Sequence, residues 1–195
     1  MKKIIVEIDS YRFSNKTNHI IITRGISTCI AFVVQGNYCE ESEAKTLPCF
    51  GLYHWSGFPA NFEGDCIAYV KEELLGFFQN MRDELSISDE EIIQLQSLSF
   101  IGGETKQFDN TGELTLSGTE KEVEALITAL EKFNFAEVGI NLKPNAIAHH
   151  HFITKDEQSL EVNVSHNKLE TCYESIETGP EEDEACDHAS SSFFL

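Results

Sequence analysis

His19–Val34 reads HIIITRGISTCIAFVV. Its first five residues form a β-branched run, the composition of a strand. Arg24-Gly25 follows as a glycine-containing turn. Cys29–Val34 is then a short continuous apolar run, the pattern of a strand buried on both faces. A strand, a tight turn and a second buried strand put the Cys29 thiol at the mouth of the turn, near backbone N–H groups.

Working outward, Lys3–Ile8 and Cys49–Trp55 also read as strands. Asp65 looks like an N-cap, because Ile67, Val70, Leu74, Phe78 and Met81 then recur at helical spacing to about Leu85. Leu98–Ile101 reads as a strand ending at Gly102-Gly103. Thr119-Glu120-Lys121-Glu122 has the form of a capping box. Val123, Leu126, Ile127, Leu130 and Phe133 line one face of the helix after it. Ala136–Leu142, Ala146–Thr154 and Leu160–Val164 read as strands, with a turn at Lys155–Gln158 before the last. Several strands with two main helices predict a layered α+β domain.

The 195 residues suffice for one domain with its own core. The charge is −19, from 14 Lys and Arg against 33 Asp and Glu. Nucleic acid and anionic membranes repel such a chain, so neither is expected as a partner, whereas a basic protein surface is attracted. The Ile4–Val6 run is too short for a signal peptide, and no stretch is long enough to span a bilayer. The six cysteines (29, 39, 49, 66, 172 and 186) show no regular spacing. Reduced thiols are therefore expected, although a Cys39–Cys49 disulfide is geometrically possible. Residues 169–195 hold eight of the acids and no Lys or Arg. They read as a disordered tail behind a folded domain of residues 1–168.

Chemistry is suggested by Cys29 together with His54, which lies on the next predicted strand. Thiolate is the attacking species in thiol catalysis, so a base must stand beside the sulfur. The plainer alternative is a buried strand cysteine and a core histidine packed beside Trp55.

Three motifs bear on that choice. Thr23–Ile30 (TRGISTCI) resembles the nucleophile motif of the bacterial chemoreceptor glutamine deamidases of the CheD type. Phe50-Gly51-Leu52-Tyr53-His54, followed by Phe58-Pro59, resembles their histidine motif. Phe100-Ile101-Gly102-Gly103 resembles their Phe-Gly-Gly strand end. The three occur in that family's order, and the resemblance spans roughly Ile4 to Val164. The same cysteine–histidine core is similar to that of the cytotoxic necrotizing factor deamidases. The resemblance implies a layered α/β/β sandwich and a protein-glutamine deamidase needing no cofactor. It implies Cys29 as nucleophile, His54 as acid and base, and Thr23 as the residue orienting the histidine. The partner would be a protein bearing the target glutamine. Thr28 replaces the usual serine, Gln35–Pro48 is a long polar segment, and one residue is added before Pro59. These departures bear on the substrate more than on the chemistry.

Other readings stay open. The fold could serve as a non-catalytic binding module, or the thioester could pass to an amine, as in a transglutaminase. Gln35–Pro48 reads equally as a substrate-gripping loop or a solvated insertion. His149-His150-His151 reads as a polar surface strand, with His149 and His151 on one face and too few ligands for a metal. The tail, ending EEDEACDHASSSFFL, is similar to C-terminal signals of bacterial type IV secretion substrates. It would make the chain an effector delivered from the bacterial cytoplasm into a host cytosol.

Overall fold

A computed structural model describes residues 1–40, 45–154 and 158–175. The elements, in chain order, are β1 (Lys2–Ile5), β2 (Tyr11–Ser14), β3 (His19–Ile26), β4 (Ile30–Glu40), β5 (Lys45–Trp55), α1 (Cys66–Leu85), β6 (Ile93–Gly102), β7 (Gln107–Phe108), β8 (Leu114–Leu116), α2 (Glu120–Glu131), β9 (Ile140–Leu142), β10 (Ile147–His151), β11 (Gln158–Ser165) and β12 (Lys168–Ser175). The fold is a mixed α+β one, mostly strand. One sheet has the order β1-β3-β11-β12. The other runs β10-β6-β4-β5-β2, with β9 also pairing with β6.

The buried run in β4 explains how these layers stack. Successive strand residues point to opposite faces. Ile30, Phe32 and Val34 enter a core shared with Val70, Leu74, Phe77 and Phe78 of α1 and Val123 and Leu126 of α2. Ala31 and Val33 enter a second core, shared with Ile21 and Ile26 of β3 and Leu160, Val162 and Val164 of β11. Both faces of β4 are therefore covered, one by helices and the other by the four-stranded sheet. Each large side chain such as Phe32, wholly shielded from solvent, contributes about 1.5–3 kcal/mol. Gln35 ties the two sheets together: its Nε2 donates to the Ser165 carbonyl (2.8 Å) and its Oε1 accepts from Ser97 Oγ (3.2 Å).

Several expectations need correction. Arg24-Gly25 is not a turn but a bulge within β3. Thr23 stands opposite Val162 and Ile26 opposite Leu160, so two residues face Glu161 alone. Gly25 has φ +70°, the left-handed geometry that such a bulge favours. Gln35–Pro48 is not a loop: Glu40 pairs with Lys45 and Gly36 with Cys49, in a long β4–β5 hairpin. Residues 41–44 of that segment lie outside the described ones. Cys39 pairs with Thr46, three positions from Cys49, so the two thiols face opposite sides and both are free. Residues 169–175, expected in the tail, form most of β12, which pairs along β11 from Ser165 to Gln158. Sheet pairing overrides their acidic composition, because Leu169 packs on the inter-sheet core and Thr171 is buried. The secretion-signal reading falls on residues outside the described ones, as does most of the Lys155–Gln158 turn. Phe135–Val138 forms a 3-10 turn, so only Ile140–Leu142 of the expected strand pairs with β6.

Asp65 caps α1 as expected, its Oδ1 accepting from the N–H groups of Ile67 (2.9 Å) and Ala68 (3.1 Å). The capping box at α2 does not form. Thr119 Oγ1 instead accepts from the Glu104 N–H (2.9 Å), fastening the chain after Gly103 to the start of the helix. Among the described residues, no helix is long and apolar enough to cross a membrane.

Candidate active site

The site lies between the two sheets, at one end of β4 and β5. His54 has the parity of Phe50 and Leu52, which belong to the inter-sheet core. It stands opposite Ala31 and is 1% exposed. Thr23, on β3 of the other sheet, is wholly buried. Its Oγ1 lies 2.7 Å from His54 Nδ1 and 2.8 Å from the Val6 carbonyl oxygen.

These two contacts set the histidine's tautomer. A hydroxyl has one proton to give, and a carbonyl oxygen can only accept. Thr23 donates to Val6, so it accepts from Nδ1–H of His54. The Nε2 lone pair then remains free to act as a base. Among the described residues, buried Nε2 has no hydrogen-bond partner.

Cys29 lies just before β4, two residues ahead of Ala31, and its half-buried side chain packs against the same inter-sheet core. It is thus a diagonal neighbour of His54, on the inter-sheet side of the sheet. No hydrogen bond joins Sγ to Nε2. Burial and the carboxylate of Asp9 push the Cys29 thiol up, against a smaller downward pull from the Thr28 hydroxyl. Burial pushes His54 down, with Asp9 opposing. Both shifts favour the uncharged forms of the two side chains.

The turn that carries Cys29 is fixed from β6. The N–H of Gly103 donates to the carbonyls of both Ser27 and Cys29, at 2.9 Å each. Gly102 has φ +117°, and a Cβ there would meet the Cys29 carbonyl oxygen. Glycine at 102 thus lets the strand end approach the thiol's backbone closely. Among the described residues, the N–H groups of Thr28 and Cys29 donate to no backbone carbonyl outside the sheet ladders.

No protein-family model matches the chain, and no curated protein does either.

The geometry thus brings together Thr23 and His54 and places Cys29 on their face without direct contact. It separates the histidine run: His149 and His151 pair with Phe100 and Gly102, on the helix side of β6. Nδ1 of His149 lies 3.2 Å from Nε2 of His151, whose Nδ1 lies 3.0 Å from the Gly102 carbonyl oxygen. Among the described residues, no three His, Cys, Asp or Glu side chains gather as a metal site. Two shallow depressions, of about 280 and 300 Å³, lie away from Cys29: one around Ile20, Asn163 and Lys168, the other around Gln94 and Asn141.

Sequence reasoning missed the Val6 carbonyl at Thr23, and it missed Asp9, whose N–H donates to the His54 carbonyl (2.7 Å) and whose carboxylate accepts from the N–H (2.9 Å) and hydroxyl (3.0 Å) of Ser56. Val6 acts through its carbonyl, which no side-chain pattern reveals. Asp9-Ser10 after a β-branched run could have been read as a turn, and Ser56 simply follows the histidine motif.

Proposed function

We propose that the chain is a cysteine-dependent amidohydrolase, a protein-glutamine deamidase with Cys29 as nucleophile and His54 as acid and base. One observation carries the reading: the Thr23–His54 contact orients an imidazole whose Nε2 is buried and unpaired, on the face that Cys29 shares. A core histidine with no task would be expected to satisfy both ring nitrogens. The stack of helices, sheet and sheet supports the CheD-like α/β/β deamidase type.

In the proposed reaction, Nε2 takes the Cys29 proton as the thiolate attacks the carboxamide carbon of a glutamine side chain. The N–H groups of Thr28 and Cys29 hold the oxyanion. Collapse of the tetrahedral intermediate breaks the C–N bond, and the imidazolium gives its proton to the departing ammonia. The imidazole then deprotonates a water that attacks the thioester. Glutamate leaves, and the imidazolium returns its proton to the Cys29 sulfur. Every bond formed and broken is accounted for without a cofactor.

The substrate is proposed to be a protein with a basic region, because the chain carries a charge of −19. The setting is a bacterial cytoplasm or, for a secreted effector, a host cytosol. Ammonia release and amide-to-acid mass gain in host-cell proteins, with wild-type and Cys29→Ala chains side by side, test the reading. Identical spectra from the two chains would overturn it. Incorporation of an added amine at the same glutamine would instead identify a transglutaminase.

A non-catalytic binding module is the second reading, and one observation favours it. Sγ of Cys29 makes no hydrogen bond to His54, and the thiol is pushed towards its protonated form.

A further inference from the structure

Residues 6–10 wrap His54 from the side opposite β4. The Val6 carbonyl accepts from Thr23, the N–H of Asp9 donates to the His54 carbonyl (2.7 Å), and the N–H of His54 donates to the Ser10 carbonyl (3.0 Å). Within this wrap, Asp9 has φ +55°. Aspartate is among the few non-glycine residues that adopt the left-handed region, because its short side chain can hydrogen-bond locally. The Asp9 carboxylate is fixed in turn: Oδ1 accepts from the N–H of Ser56 (2.9 Å) and Oδ2 from its hydroxyl (3.0 Å). Ile30 pairs with Trp55, so extending that antiparallel register by one residue puts Ser56 opposite Cys29.

We propose that Asp9 is a positioning residue of the Cys29–His54 pair: it clamps the backbone at His54 and holds a fixed negative charge beside the thiol and the imidazole. The inference rests on the proposed reaction, in which the imidazolium must persist until ammonia departs. An anion held nearby stabilises that cation without accepting its proton. Asp9 is the charged group that acts on both Cys29 and His54. The other groups within its influence are Tyr53 on β5 and Tyr69 on α1, both of which also feel Glu73 of α1.

The test separates charge from structure. Removing the charge stabilises the thiolate and destabilises the imidazolium, so the Cys29 and His54 titrations both move to lower pH. Loosening the site would expose both groups to water, which lowers the thiol but raises the imidazole. Asp9→Asn retains an oxygen acceptor for Ser56, and Asp9→Gly relieves the positive φ. Iodoacetamide alkylation of Cys29 in the full chain, followed by peptide mass mapping across pH, reads the thiol. NMR of the His54 ring reads the imidazole.

The expected result is a downward shift of both titrations in both variants. An unchanged pair of titrations, or shifts of opposite sign, would overturn the role of Asp9. A His54→Gln variant tests the underlying pair. If its Cys29 profile matches wild type, the coupling itself fails and the proposal with it. If Asp9 behaves as expected but no protein is deamidated, the positioning role stands and the deamidase assignment falls.

Discussion

Thr23 and His54 belong to different sheets, yet the threonine hydroxyl and Nδ1 of the histidine meet at 2.7 Å in the layer between them. This contact both joins the sheets and selects the tautomer that leaves Nε2 free. The two roles can be separated by mutation.

Thr23→Val retains the shape but leaves Nδ1 and the Val6 carbonyl without their shared hydroxyl. Each buried polar group left unpaired costs about 1–3 kcal/mol. A loss of about 2 kcal/mol in urea unfolding is expected, with a slower reaction of Cys29 towards amide substrates. Thr23→Ser restores the hydroxyl and should recover most of both. A serine variant no better than valine would mean that the methyl group matters, not the hydrogen bonds.

Gly102→Ala puts a Cβ against the Cys29 carbonyl and forces alanine to φ +117°. The turn that bears the thiol must shift. A fall in unfolding midpoint should accompany an altered alkylation rate at Cys29, with little change at Cys66 on α1. Equal changes at both thiols would show general loosening instead.

Arg82 is 7% exposed and donates to four carbonyls: Ser88 (2.6 Å), Glu91 (2.8 Å), Val138 (3.0 Å) and Gly139 (3.1 Å). It holds the end of α1 to the segments flanking β6 and β9. Arg82→Met removes the guanidinium donor from all four, although the Ser88 and Gly139 carbonyls keep the N–H groups of Glu91 and Ile93; a loss of about 1–3 kcal/mol is expected by denaturant unfolding. Cys29 alkylation of the folded fraction should stay near wild type, because Arg82 lies on the helix side of the central sheet.

Acid should weaken the fold before the carboxylates titrate. Burial lowers His54, His149 and His150 from the ordinary 6.5, and holds His151 at about 4. Between the folded and unfolded values the unfolded chain binds more protons, so stability falls as the pH drops. The window for His151 runs from 6.5 down to about 4, and below it that contribution levels off. Glu84, raised by burial, acts in the opposite sense at the acid end. Unfolding midpoints at pH 7 and pH 5, for wild type and His151→Gln, measure the effect; a variant with the wild-type slope would exclude His151 as a contributor.

Which features the sequence revealed depended on whether a side chain or a backbone partner decided them. The two-sided burial of Cys29–Val34 and the helical spacing from Ile67 to Met81 are side-chain patterns, and both elements stand close to where those patterns put them. Asp65 was equally plain. Thr119 was misleading because its hydroxyl had a second suitor in Glu104, a contact that crosses 15 residues of chain. Residues 169–175 were masked by their acids, since a strand at the end of a sheet draws its stability from its neighbour rather than its own composition. The Thr23–His54 approach joins strands of different sheets, and the family resemblance suggested it before any spacing did. The clamp at Asp9 is mostly backbone and left almost no trace in residue types.

The Val6 carbonyl belongs to a short stretch, just after β1, that is held to the body through parallel pairing with β3. Whenever that stretch peels away, Thr23 regains its proton for the imidazole, and Nδ1 can become the acceptor while Nε2 takes up hydrogen. Because Val6 is itself part of the inter-sheet core, detaching this stretch would loosen that core and, in the proposed reaction, switch off the base in the same step.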